Sequence, residues 1–126
     1  MSKLHLLDKA KKRKKEAKMT LENIAKLANL SNRTVTRFFS GKDIKLSSAE
    51  KITNVLGLDL AGNEILDVKT LKEKRAKEKA TYIVSLVQDT SSLEKQGLKS
   101  SDINILIQET KKEFLIGKYQ KTLWLN

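Results

Sequence analysis

TLENIAKLANLSNRTVTRFFSG, residues 20–41, decides how the rest of the chain is read. Leu21, Ile24, Ala25 and Ala28 recur at the spacing of one helix face. Thr20 stands where an N-cap hydroxyl accepts a free backbone N–H of the first turn. Asn29 tolerates the left-handed backbone that ends a helix, which a β-branched residue does not. Leu30 turns inward and Ser31 opens a second helix from Asn32 to Ser40. Val35, Phe38 and Phe39 form its inner side. Asn32, Arg33, Thr36 and Arg37 share the other side, because 32/36 and 33/37 are one turn apart. Gly41 stops it.

Two short helices around a tight turn need a small residue where they cross, here Ala25. If the second helix is to read DNA, it also needs an apolar back and a polar front. Through Leu21, Ile24, Ala25, Leu30, Ser31, Val35, Phe38 and Ser40-Gly41, the stretch resembles the Cro/XRE-type helix-turn-helix proteins of phage repressors and bacterial regulators. The resemblance extends over roughly residues 4–60. It departs at Asn29, where that family most often carries Gly; Asn is the next best residue for a positive φ.

The resemblance implies that the front of the second helix enters the major groove. Asn32 and Arg33 lie in its first turn, with chemistry suited to adenine N6/N7 and guanine O6/N7. Thr36 suits a thymine methyl or a phosphate, and Arg37 suits a base or a phosphate. Thr20 and Asn23 stand at the positive end of the preceding helix, where phosphate is favoured. Lys42 and Lys45 follow in a loop placed for the DNA backbone. Lys14 and Lys18 belong to the base run of residues 9–18, which is expected near phosphates as a group. Family dimers place two such helices about 34 Å apart, so the implied partners are double-stranded DNA and a second copy of the chain.

Bulk composition agrees with that reading. The chain has 126 residues, no proline, five glycines and no alternating β-branched run, which predicts an all-α protein. Net charge is +11, calling for an acidic partner and a salt-sensitive association. Residues 1–62 carry 14 Lys/Arg against 6 Asp/Glu, and residues 63–126 carry 12 against 9, so the anion is expected on the first half. Without cysteine there is no disulfide or thiolate metal site, and a single histidine, His5, argues against zinc or histidine-based catalysis. No nucleophile–base pair or Gly-rich phosphate loop is visible. The expectation is therefore a non-enzyme with no cofactor and no metal. No apolar run reaches the ~20 residues of a membrane span, and a signal peptide's apolar stretch is missing. A cytoplasmic protein of bacterial or phage origin is expected.

Around the motif, Leu4, Leu7, Ala10, Lys14 and Ala17 lie on one stripe of a first helix over 4–18. Ser47 or Ser48 is expected to cap a further helix whose Ala49, Ile52, Val55 and Leu56 face inward, with Gly57 ending it and Leu58 and Leu60 packing back. Residues 63–80 turn highly charged and read as a solvated helix or connector. Ala80, Ile83, Leu86, Val87, Thr90 and Leu93 then mark an amphipathic helix from about Lys79. Lys95-Gln96-Gly97 is a turn, and Ile103, Leu106, Ile107, Thr110 and Phe114 mark a second helix broken at Gly117. The ending, Tyr119 to Leu125, is apolar. The expected architecture is a five-helix repressor-like helix-turn-helix domain over 1–62 and a helical hairpin extension over 63–126. Such a hairpin is too small to bury its own faces. Its faces must pack on the N-terminal domain, on a twin chain or on another protein; if on a twin chain or partner, Ile83, Val87, Leu106, Phe114 and Trp124 are the expected contacts. The alternative is an antitoxin-like interaction module, in which the hairpin grips a different protein.

Overall fold

The computed structural model describes residues 3–93 and 100–125. Among them are six α-helices and one 3₁₀ turn, with no strand beyond an isolated bridge between Leu58 and Glu64. The helices are α1 Lys3–Ala17, α2 Leu21–Ala28, α3 Asn32–Phe39, α4 Leu46–Val55, α5 Val68–Leu93 and α6 Ser100–Leu115. The chain divides into two compact units, residues 1–71 with 124–126, and residues 72–123. The division between these units lies between residues 71 and 72, inside α5. Four helices lie within residues 1–62, and the first turn of α5 is the fifth of the first unit.

In the first unit α2 packs against both α3 and α4, and α1 packs against α3. The core is Leu7, Ala10, Ala17, Ile24, Ala25, Ala28, Val35, Phe38, Ile52 and Leu56, matching the apolar stripes of the sequence. Each of α1–α4 stops in the same way. Two N–H groups beyond the helix reach back to carbonyls of its last turn: Lys18 and Met19, Asn29 and Leu30, Gly41 and Lys42, Gly57 and Leu58. This motif needs a left-handed residue at its first position. Lys18, Asn29, Gly41 and Gly57 supply φ values of 59°, 56°, 80° and 71°. Lys18 is the costly member, since a side chain in this region strains the backbone by roughly 1 kcal/mol and glycine does not. Replacing Lys18 with Gly should therefore raise unfolding stability by up to about 1 kcal/mol in urea denaturation of the DNA-free protein. A loss of stability would contradict the left-handed assignment.

Three details differ from expectation. The fourth helix begins at Leu46 with Lys45 as an N-cap that makes no side-chain bond, so Ser47 and Ser48 lie inside its first turn rather than capping it. Leu58 is buried, but Leu60 is exposed at the tip of a turn in which the Asp59 carboxylate accepts the Ala61 and Asn63 N–H groups. Most consequential is Arg13. It faces inward, 6% exposed, instead of standing with the phosphate-facing bases. Its Nη1 donates to the carbonyls of Leu56 and Leu66, both at 2.7 Å, and its Nη2 lies 3.1 Å from Glu64. The arginine thereby joins α1 to the end of α4 and to the segment leading into α5.

The charged stretch 72–80 and the amphipathic stretch after it form one helix, α5, capped by the Asp67 carboxylate accepting the Thr70 N–H at 2.7 Å. Hydrogen bonds from Thr70 pull the Asp67 carboxyl below the usual carboxylate range. In the second unit Ala76, Ala80 and Val84 are the buried stripe of α5, whereas Val87 is exposed and Ile83 half-buried. Phe114 is buried, with Tyr119 5.3 Å and the Lys79 ammonium 5.1 Å from its ring centre. Arg75 Nε donates to the Leu123 carbonyl and Lys79 Nζ to that of Thr122. Burial lowers both cations' pKa values. At Gly117 an added Cβ would lie 2.8 Å from the Glu113 Cα, so only glycine fits the bend ending α6. The turn expected at 95–97 and the side chains of Thr90 and Leu93 lie outside what is described.

Candidate nucleic-acid interface

Local chemistry fixes both helices of the 20–41 motif. Thr20 Oγ1 accepts the Asn23 N–H while Asn23 Oδ1 accepts the Thr20 N–H, each at 3.0 Å. This reciprocal cap satisfies two donors and sets where α2 begins. Ser31 Oγ accepts the Thr34 N–H at 3.1 Å and exchanges a further hydrogen bond with the Thr34 hydroxyl at 2.9 Å. The Leu30 N–H reaches Ala25 O at 2.9 Å, closing the turn between the helices. Val35 and Phe38 anchor α3 from behind, and the Phe38 and Phe39 rings meet edge to face at 5.1 Å.

With its back fixed, α3 presents Asn32, Arg33 and Thr36 as exposed side chains on one face. Arg37, one turn beyond Arg33, is half-buried, and its Nη2 donates to the Asp43 carbonyl at 3.3 Å. Lys42 and Lys45 are exposed in the following loop. Thr20 is exposed and Asn23 half-buried, with Asn23 Oδ1 already used in the cap, so its amide N–H₂ is the group left to offer an anion. Lys18 is exposed just before α2, and Lys14 is half-buried beside the packed stripe of α1. Glu22 on α2 lies 3.2 Å from Lys26, a pair one turn apart that offsets its negative charge.

Phe114 and Trp124, candidates for a partner contact or for packing within the chain, are buried within the chain. Trp124 belongs to the first unit, is 7% exposed, and donates its indole N–H to Ala17 O at 2.7 Å. A buried indole nitrogen requires such an acceptor, and the last turn of α1 offers a free one. Val87 is exposed; Ile83 and Leu106 are half-buried. Ile116, Tyr82 and Ile105, which the sequence reading passed over, are more open at 69%, 65% and 56%. Arg13 was hidden by its neighbours, although it is the one arginine in a run of six lysines and lies three residues beyond Ala10 and four before Ala17. Among the described residues no cluster of His, Asp or Glu could hold a metal ion, and no helix is long and apolar enough to cross a membrane.

A capped helix pair with an exposed Asn/Arg/Thr front, on an all-α unit rich in Lys and Arg, has the architecture of a helix-turn-helix domain. Residues 10–63 match the helix-turn-helix family model, of the Cro/XRE type. No curated protein and no solved structure matches the chain significantly.

Proposed function

We propose that the protein is a sequence-specific DNA-binding regulator of transcription that acts as a homodimer, each copy inserting α3 in the major groove. The observation that carries this reading is the exposed Asn32, Arg33 and Thr36 face on a helix capped in front and packed behind. Asn32 and Arg33 read base edges, and Thr36 meets a thymine methyl or a phosphate. Thr20, the Asn23 amide, Lys14, Lys18, Lys42 and Lys45 meet phosphates on the flanks. Apolar side chains left open on the second unit, Tyr82, Val87 and Ile105 among them, with Ile83 and Leu106 beside them in the sequence pattern, support pairing between copies. Burial of Leu123 and Trp124 leaves Tyr119 and Leu125 as the exposed part of the apolar end on which an antitoxin-like grip of a foreign protein would rest, a smaller anchor than the sequence offers.

Arg33→Ala separates base reading from charge alone. On this reading it costs about 1–3 kcal/mol on the preferred site and relaxes the preference at one base position. Lys45→Ala should weaken binding to every duplex alike and flatten the dependence on salt. Titration of each variant against matched and singly altered duplexes measures both effects. Equal losses for Arg33→Ala on every duplex would end its assignment as a base reader.

A further inference from the structure

The arrangement around Arg37 does not suit a base reader. Its backbone carbonyl accepts the Lys42 N–H at 3.0 Å, and its guanidinium donates to the Asp43 carbonyl at 3.3 Å. Gly41, with φ 80°, turns the chain just ahead of those two attachments, and the Gly41 N–H is held by Phe38 O at 3.1 Å. One residue thus grips the start of the loop from both its main chain and its side chain. The loop carries Lys42 and Lys45, both exposed, and ends where α4 begins. Arg33 is exposed on the same helix face, whereas Arg37 is half-buried and turned to the loop.

We infer that Arg37 is a positioning residue for DNA binding: it fixes the 41–45 loop so that Lys42 and Lys45 meet consecutive backbone phosphates, and it does not itself read a base. The inference rests on the DNA-binding reading above. Its physical basis is preorganisation. A free loop must be ordered when its lysines engage, at a cost in conformational entropy that a tied loop has already met. The main-chain bond alone fixes Lys42 only at its nitrogen; the guanidinium fixes the Asp43–Ile44 peptide, on the way to Lys45.

The test uses the full chain with Arg37→Ala, Lys42→Ala, Lys45→Ala and the Arg37→Ala/Lys42→Ala double variant. Affinity for a duplex is measured across a range of salt, after helical circular dichroism shows each variant folded. Each phosphate contact contributes about 0.9 to the slope of log affinity against log salt. Loss of Arg37 should lower the slope by more than one contact's worth, approaching two. The double variant should bind little worse than Arg37→Ala alone, because Lys42 has already lost its place. Base preference should be unchanged. A fall of about 0.9 with independent, multiplying losses would make Arg37 a direct phosphate ligand and overturn the inference. So would an altered preference at a single base position.

Slope and cycle are readable on any duplex, so this test does not depend on sequence preference. Wild-type protein that binds all sequences equally would defeat the regulator reading while leaving the role of Arg37 to be decided by these two quantities.

Discussion

Trp124→Ala should lower the unfolding free energy by about 3–5 kcal/mol, the range for emptying a buried aromatic site. Two losses combine. The indole, 7% exposed, leaves a void, and Ala17 O loses the N–H that reaches it at 2.7 Å. Ala17 itself is fully buried, so a carbonyl stripped of its donor there regains little water. Trp124→Phe keeps most of the ring and removes only the donor, and should cost about 1 kcal/mol in packing-neutral terms. Urea unfolding followed by helical circular dichroism reads both variants without needing the tryptophan. A change below about 0.5 kcal/mol in Trp124→Ala would mean that the indole does not occupy this site in solution.

The second large effect belongs to Arg13→Ala, expected to cost about 3 kcal/mol. The guanidinium satisfies two main-chain carbonyls and faces Glu64 at a site only 6% exposed. Removing it strands those acceptors and leaves a gap between α1 and the 56–66 segment. Lysine should rescue poorly, because a compact ammonium on a flexible stem does not reproduce the planar fork. Lys12→Ala, one residue away on an exposed side chain, should stay within about 0.5 kcal/mol. Equal tolerance at both positions in the same urea titration would show that Arg13 is a surface base after all.

Much of the first unit was legible because each signal has a local cause. The 20–41 stretch specifies its own caps, its turn and its inner face within a few residues, and every one of those features recurs in the structure. Arg13 was not legible, since its partners lie 43 and 53 residues away in sequence and its neighbours are all lysines. Where Trp124 packs stayed open for the same reason, its acceptor being 107 residues distant. A terminal apolar cluster has no periodicity that says whether it meets its own chain or another. The serines at 47 and 48 misled because two hydroxyls near a helix start are ordinary cap signals, while Lys45 begins α4 by main-chain geometry alone. Within the candidate interface, spacing correctly placed Asn32, Arg33 and Thr36 on an open face. It was blind to the turn of Arg37 toward Asp43, which depends on a side-chain torsion.

The central claim is that α3 reads DNA sequence as one half of a symmetric pair. Selection from a random duplex library at about physiological salt tests it most directly, because non-specific phosphate binding is then weak. The Asn32→Ala/Arg33→Ala double variant is run beside the wild type. The expected result is enrichment of an inverted repeat with half-sites about 34 Å apart by the wild type, and none by the variant. Equal retention of unselected DNA by both would contradict the claim and leave only a basic surface.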